Sequence, residues 1–192
     1  QVTYQYSNPV EITNRSNDQN IYSAIRTTQV ENKIPWMPPE GSVFKGQTVR
    51  AIAYDPQLDI SSPVVTQTYF VDEAIFQRYP TLPVLSLTAD YEVLFEPETG
   101  ILNTGQDGNP FSHLETRVPA NLELFQPDGV VGFNGLYEIK LHGFTSVANP
   151  QKGLHVYAEP WLGAETIQYP IFQDAPSKAS QLESVDRFIP RA

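Results

Sequence analysis

The stretch "NLELFQPDGVVGFNGLYEIKLHG", residues 121–143, decides how the fold is read. Pro127, Asp128 and Gly129 place three turn-forming residues together between two segments of strand character. Beyond the turn, Tyr137, Ile139 and Leu141 alternate with polar residues, the period-two spacing of a strand with one buried face. A β-hairpin is predicted here.

Composition carries that reading to the rest of the chain. Seventeen prolines and 11 glycines in 192 residues set turns throughout and leave little room for helix. Ten tyrosines and ten phenylalanines suit strands that pack aromatic faces. Hydrophobic content of 40% with 18% charged residues describes a globular chain long enough to bury a core. The fold class expected is all-β with a few short helical turns.

Charge and residue usage exclude several functions. A net charge of −10, with 12 scattered Lys and Arg, excludes the clustered basic surface that nucleic acid requires. No apolar run approaches the roughly 20 residues of a spanning helix, so no membrane span is expected. The absence of cysteine removes disulfides, thiolate chemistry and Cys-based zinc sites. A chain starting at Gln1 rather than Met is what a mature exported protein would show, so a secreted or cell-surface location is expected.

Outward from the hairpin, further strands are predicted. "LPVLSLTAD" reads as a short buried strand, and Asp90 is placed to cap one or two helical turns in "DYEVLFEPETG" that Pro97 halts. "QTVRAIAYD" and "SPVVTQTYFVD" read as strands, as does "AETIQYPIF". "DEAIFQRYP", residues 72–80, reads as a helical turn ended by Pro80. Residues 1–72 and 83–192 are expected as two modules joined by a linker at 73–82. At the start of the chain, Val2, Tyr4 and Tyr6 alternate with Thr3, Gln5 and Ser7 and carry no charge. An unguarded strand of that kind can complete a neighbour's sheet or fold back on its own.

Candidate sites are few. Lys152 follows a Gly/Ser/Thr-rich loop and precedes the strand "GLHVYAE"; it reads either as a nucleotide-facing lysine or as a solvated lysine at a strand start. In "TGQDGNP", Asp107 and Asn109 could hold calcium with backbone carbonyls or form an ordinary Asp-Gly turn. His142 and His155 could share a hairpin, as a two-histidine metal site or as polar face residues. Trp36, in the loop "IPWMPPEG", could stack on a sugar ring or plug the end of a sandwich. No catalytic residue is identified.

The order of these segments resembles two known families. "VEITNRSNDQNIYSAIRT" and "IPWMPPEGSVFKGQTVRAIAYDPQLDISSPVVTQTYFVD" are similar to the chitobiase/β-hexosaminidase C-terminal type of Ig-like β-sandwich. "LPVLSLTADYEVLFEPETGIL", "ETRVPANLELFQPDG", "YEIKLHGFTSVANPQKGLHVYAE" and "IQYPIF" resemble, in order, the N-terminal part of the spore coat protein H family of atypical kinase-like proteins. The resemblance implies a sandwich followed by a β-rich kinase-like module, with Lys152 at the nucleotide-facing position. Two departures weaken the enzymatic implication. Val147 stands where the family has Arg, and Gly153 where a serine follows the lysine. The family's metal-binding acidic residues belong to a region beyond "VDRFIPRA", where this sequence stops.

Phosphoryl transfer needs a phosphate-positioning lysine, carboxylates for magnesium and an orienting base. Only the first has a candidate. The expectation is a non-catalytic extracellular or cell-surface protein with a structural or interaction role, partnered by itself or another surface protein. No cofactor is expected beyond the candidate calcium. The alternatives are the N-terminal part of an ATP-dependent secretory-type kinase and a carbohydrate-binding module.

Overall fold

The computed structural model describes residues 5–30, 34–72, 74–173, 176 and 181–190. Its strands are β1 Gln47–Ala51, β2 Tyr54–Asp55, β3 Ile60–Ser61, β4 Val65–Tyr69, β5 Val84–Thr88, β6 Val118–Phe125, β7 Val131–His142, β8 Gly153–Tyr157 and β9 Arg187–Phe188. Two short helices, α1 Ile75–Arg78 and α2 Tyr91–Phe95, interrupt them. The class is all-β. β5 to β9 form one antiparallel sheet in chain order, while β1 pairs with β4 and β2 with β3.

The hairpin at residues 121–143 is the centre of the sheet. Gly129, at φ 85°, turns the chain, and Gln126 and Val130 close the loop through a 2.8 Å backbone bond. Asp128 adds its carboxyl oxygen to the Val130 N–H at 3.0 Å, a local bond that fixes the turn. The register shifts next to Phe125, which leaves Gly132 as the extra residue on β7. A side chain there would strike the ring of Tyr169 at 2.6 Å, so glycine is required for close packing.

Strict alternation then sorts the two faces. Val118, Ala120 and Leu122 of β6, Phe133, Tyr137, Ile139 and Leu141 of β7, and Val156 of β8 are buried on one face. Leu94 of α2, Ile101 and Ile167 close over the same core. Asp90 occupies the N-cap position of α2 with extended backbone, as predicted. Its carboxyl oxygen does not cap; it takes Arg50 of β1 at 2.7 Å.

The opposite face of the sheet is half covered by the β1–β4 ladder. Glu123, fully buried, accepts the Thr68 N–H at 2.8 Å and also the side-chain amide of Gln67. Thr68 meets Ser86 of β5 at 2.8 Å, and Asn134 of β7 donates to the Thr66 carbonyl at 2.9 Å. At one end, the Phe70 ring lies between Phe44 and Phe125, at centroid distances of 5.5 and 5.2 Å. Within the described part of residues 1–72, the strands make two short ladders, not two facing sheets, and the β1–β4 ladder takes the large sheet as its second layer. The stretch expected as a linker holds α1.

Three predicted strands differ in extent. "QTVRAIAYD" breaks after Ala51, because Ala53 turns its N–H to the Ser62 hydroxyl at 3.0 Å and starts the separate β2–β3 ribbon. "AETIQYPIF" supplies one bridge, between Ile167 and Val185. Of the N-terminal alternation, Val2 and Tyr4 lie outside the described residues. Tyr6 stands exposed and outside any strand.

Candidate functional site

Lys152 is a clamp between loops. Its ammonium donates to the Thr104 hydroxyl at 2.8 Å, the Val147 carbonyl at 2.6 Å and the Asn149 carbonyl at 2.8 Å. An ammonium has three donors, and all are engaged. The short 3-10 turn Thr145–Ala148 lets two carbonyls converge on one point. Thr104, itself fully buried, ties the node to the N-terminal region: the Gln29 N–H donates to its carbonyl at 2.9 Å, and the Thr27 hydroxyl reaches Pro150 at 2.6 Å. Burial lowers the Lys152 pKa to about 8. Lys45 plays a comparable part, donating to the carbonyls of Ser16, Asp18 and Val43 and to the side chain of Asn20 within 3.2 Å.

A cleft of about 700 Å³ opens beside Lys152, walled by Met37, His142, Ser146 and Pro150 among others. His142 and His155 are brought together on neighbouring strands, with ring centroids 4.7 Å apart. Burial lowers the His155 pKa, and the charges of His142, Lys140, Arg187 and Arg117 add to the effect. Among the described residues, no three His, Asp or Glu side chains gather to hold a metal ion.

The remaining sequence candidates are dispersed. The Asn109 N–H donates to Asp107 Oδ1 at 2.9 Å, and the Phe111 N–H donates to Asn109 Oδ1 at 3.0 Å. Both side chains thus brace their own turns. Trp36 is half-buried, and the exposed indole is Trp161.

Two features escaped sequence reading. The first is the β2–β3 ribbon, which projects Tyr54, Leu58 and Ile60 into solvent, Leu58 at 67% exposure. Its turn is braced from within. Asp55 Oδ1 accepts the N–H of Gln57 at 2.8 Å and of Leu58 at 3.2 Å, and the Tyr54 hydroxyl donates to Asp59 at 2.9 Å. Asp59 holds φ 53°, the left-handed conformation that Asp tolerates. The second is a cleft of about 330 Å³ between β4, α1 and the β6–β7 turn. Tyr69, Phe70, Tyr79, Leu82, Val84 and Phe125 line it, with Gln67, Asp72 and Gln126 as polar groups. The signal for the ribbon lay in "YDPQLDI", where Asp-Pro and a second Asp punctuate apolar residues. The cleft joins distant segments, so no local pattern announced it.

No family model matches the chain, and neither a curated protein nor a solved structure is significantly similar to it.

Proposed function

We propose that this chain is a non-catalytic interaction protein acting outside the cell or at its surface. The observation that carries this reading is the band of exposed apolar side chains along the ladder end and ribbon: Ile52, Tyr54, Leu58, Ile60, Val64 and Val65. Large apolar side chains left in solvent on both faces of one short ribbon and the ladder end beside it mark a contact region. The net charge of −10 keeps a chain bearing such a band in solution.

The clamp geometry of Lys152 argues in the same direction. A phosphate could take its ammonium only by displacing the two carbonyls and the hydroxyl that hold it. Magnesium-ATP is therefore expected to leave the melting temperature unchanged. A ligand present at 100 times its dissociation constant would add about 2.7 kcal/mol. A clear rise in melting temperature that Lys152→Ala abolishes would overturn the reading in favour of a nucleotide site.

A further inference from the structure

We infer that His142 and His155 form a surface site for a divalent late first-row transition-metal ion, with copper(II) its strongest occupant. In the β7–β8 ladder Lys140 stands opposite His155 and His142 opposite Gly153, so the histidines occupy diagonal positions on one face. That face points away from the core, since Ile139, Leu141 and Val156 of the same strands are buried on the other. The two rings have centroids 4.7 Å apart and planes inclined by 73°. Two imidazoles bound side by side to one ion at about 2.0–2.1 Å place their centroids roughly 4.5–5 Å apart. The spacing of a shared ion is therefore already present, and a turn about the broad χ2 well of histidine aims the nitrogens.

The surroundings leave those nitrogens free. Gly153 has no side chain, and a Cβ there would lie 3.7 Å from His142 Cβ and 3.8 Å from its Cδ2, so the imidazole rests over the glycine. Both histidines are half-buried, and their contacts are ring to ring, with each other and between His155 and Tyr157 at 5.2 Å. Neither imidazole makes a hydrogen bond among the described residues. The ligating form is the neutral ring, which predominates for histidine above neutral pH. Lys140, Arg187 and Arg117 bring positive charge near His155. Glu115 holds Lys140 at 2.8 Å, and Glu138 and Glu159 hold Arg117 at 3.0 and 2.8 Å, which offsets most of that charge. The net charge of −10 favours cations over the molecule as a whole.

Donor chemistry selects the ion. Imidazole nitrogen suits copper, nickel and zinc, whereas calcium and magnesium take oxygen ligands. Affinity at a given nitrogen site is highest for copper(II). No third His, Asp or Glu joins the pair among the described residues, so water completes the coordination shell. A tetragonal copper(II) shell accepts that arrangement, while structural zinc requires four protein ligands. Binding is accordingly reversible, and the ion ties β7 to β8 across the loop at 143–152.

Copper(II) titration of the full chain at about pH 7.5, where histidine is mostly neutral, tests this by electron paramagnetic resonance and melting temperature. The wild type should take one equivalent, show the nitrogen splitting of two imidazoles and melt higher as copper is added. Nickel and zinc should compete, and calcium should not. His142→Gln and His155→Gln should each weaken binding at least about tenfold and leave the splitting of one imidazole. Circular dichroism checks that both variants fold, and the wild-type spectrum counts the nitrogen donors independently of them. Absence of stoichiometric binding, a wild-type spectrum with fewer than two imidazoles, or a double variant that binds as the wild type does would each overturn the inference.

Discussion

Glu123 accepts the backbone N–H of Thr68 at 2.8 Å, and through that bond a fully buried carboxyl group joins the β1–β4 ladder to the large sheet. The two residues come from segments 55 positions apart. A buried polar group is costly unless partnered, so the contact requires both layers to be in place.

Replacing Glu123 with alanine would leave the Thr68 N–H and the Gln67 amide without their acceptor. A loss of about 2 kcal/mol is expected, from one orphaned buried donor and the void around it. Glu123→Gln keeps an acceptor oxygen and should cost less. Urea unfolding of both variants measures the difference, and equal stabilities would refute the assignment.

Arg117 bridges Glu138 at 3.0 Å and Glu159 at 2.8 Å while its guanidinium lies over the Tyr157 ring at 4.0 Å. A planar fork can serve all three partners, whereas a lysine ammonium cannot. Arg117→Lys should therefore destabilise the fold by about 1 kcal/mol, a partly exposed network being worth little more. Raising the salt concentration should narrow the gap between variant and wild type.

Stability should rise with pH in two windows. His155 titrates below its ordinary value of 6.5 in the folded chain, so the unfolded chain binds more protons and stability falls as pH drops through 6.5 and below. Lys152 titrates at about 8 against an ordinary 10.5, so its contribution grows as pH rises from about 8 towards 10.5. His155→Gln should flatten the acid limb of a melting profile, and Lys152→Met the alkaline limb.

How much of this was legible in the sequence depends on the range of the interaction. The β6–β7 hairpin, the helical turns at 75–78 and 91–95, and the strand at 84–88 follow from turn residues and alternation within a few positions. Local pattern also placed Asp90 at a helix start but could not reveal that Arg50 would claim its carboxyl group. The two short ladders at residues 47–69 read as longer strands, because Val49, Ala51 and Ala53 continue the alternation across the break that Ser62 imposes. At the site, the sequence identified Lys152 but left its role open between two readings. The clamp is made by Thr104, 48 positions away, together with two backbone carbonyls, and carbonyls have no sequence signature.

The engagement of Lys152 is also the point at which the interaction and nucleotide readings part most sharply. Brief acetylation with acetic anhydride near pH 8, read peptide by peptide by mass spectrometry, compares the folded chain with and without magnesium-ATP. Because internal acceptors and not a phosphate hold the Lys152 nitrogen, magnesium-ATP should leave its labelling rate unchanged. Rapid labelling of folded Lys152 that magnesium-ATP suppresses would contradict the account.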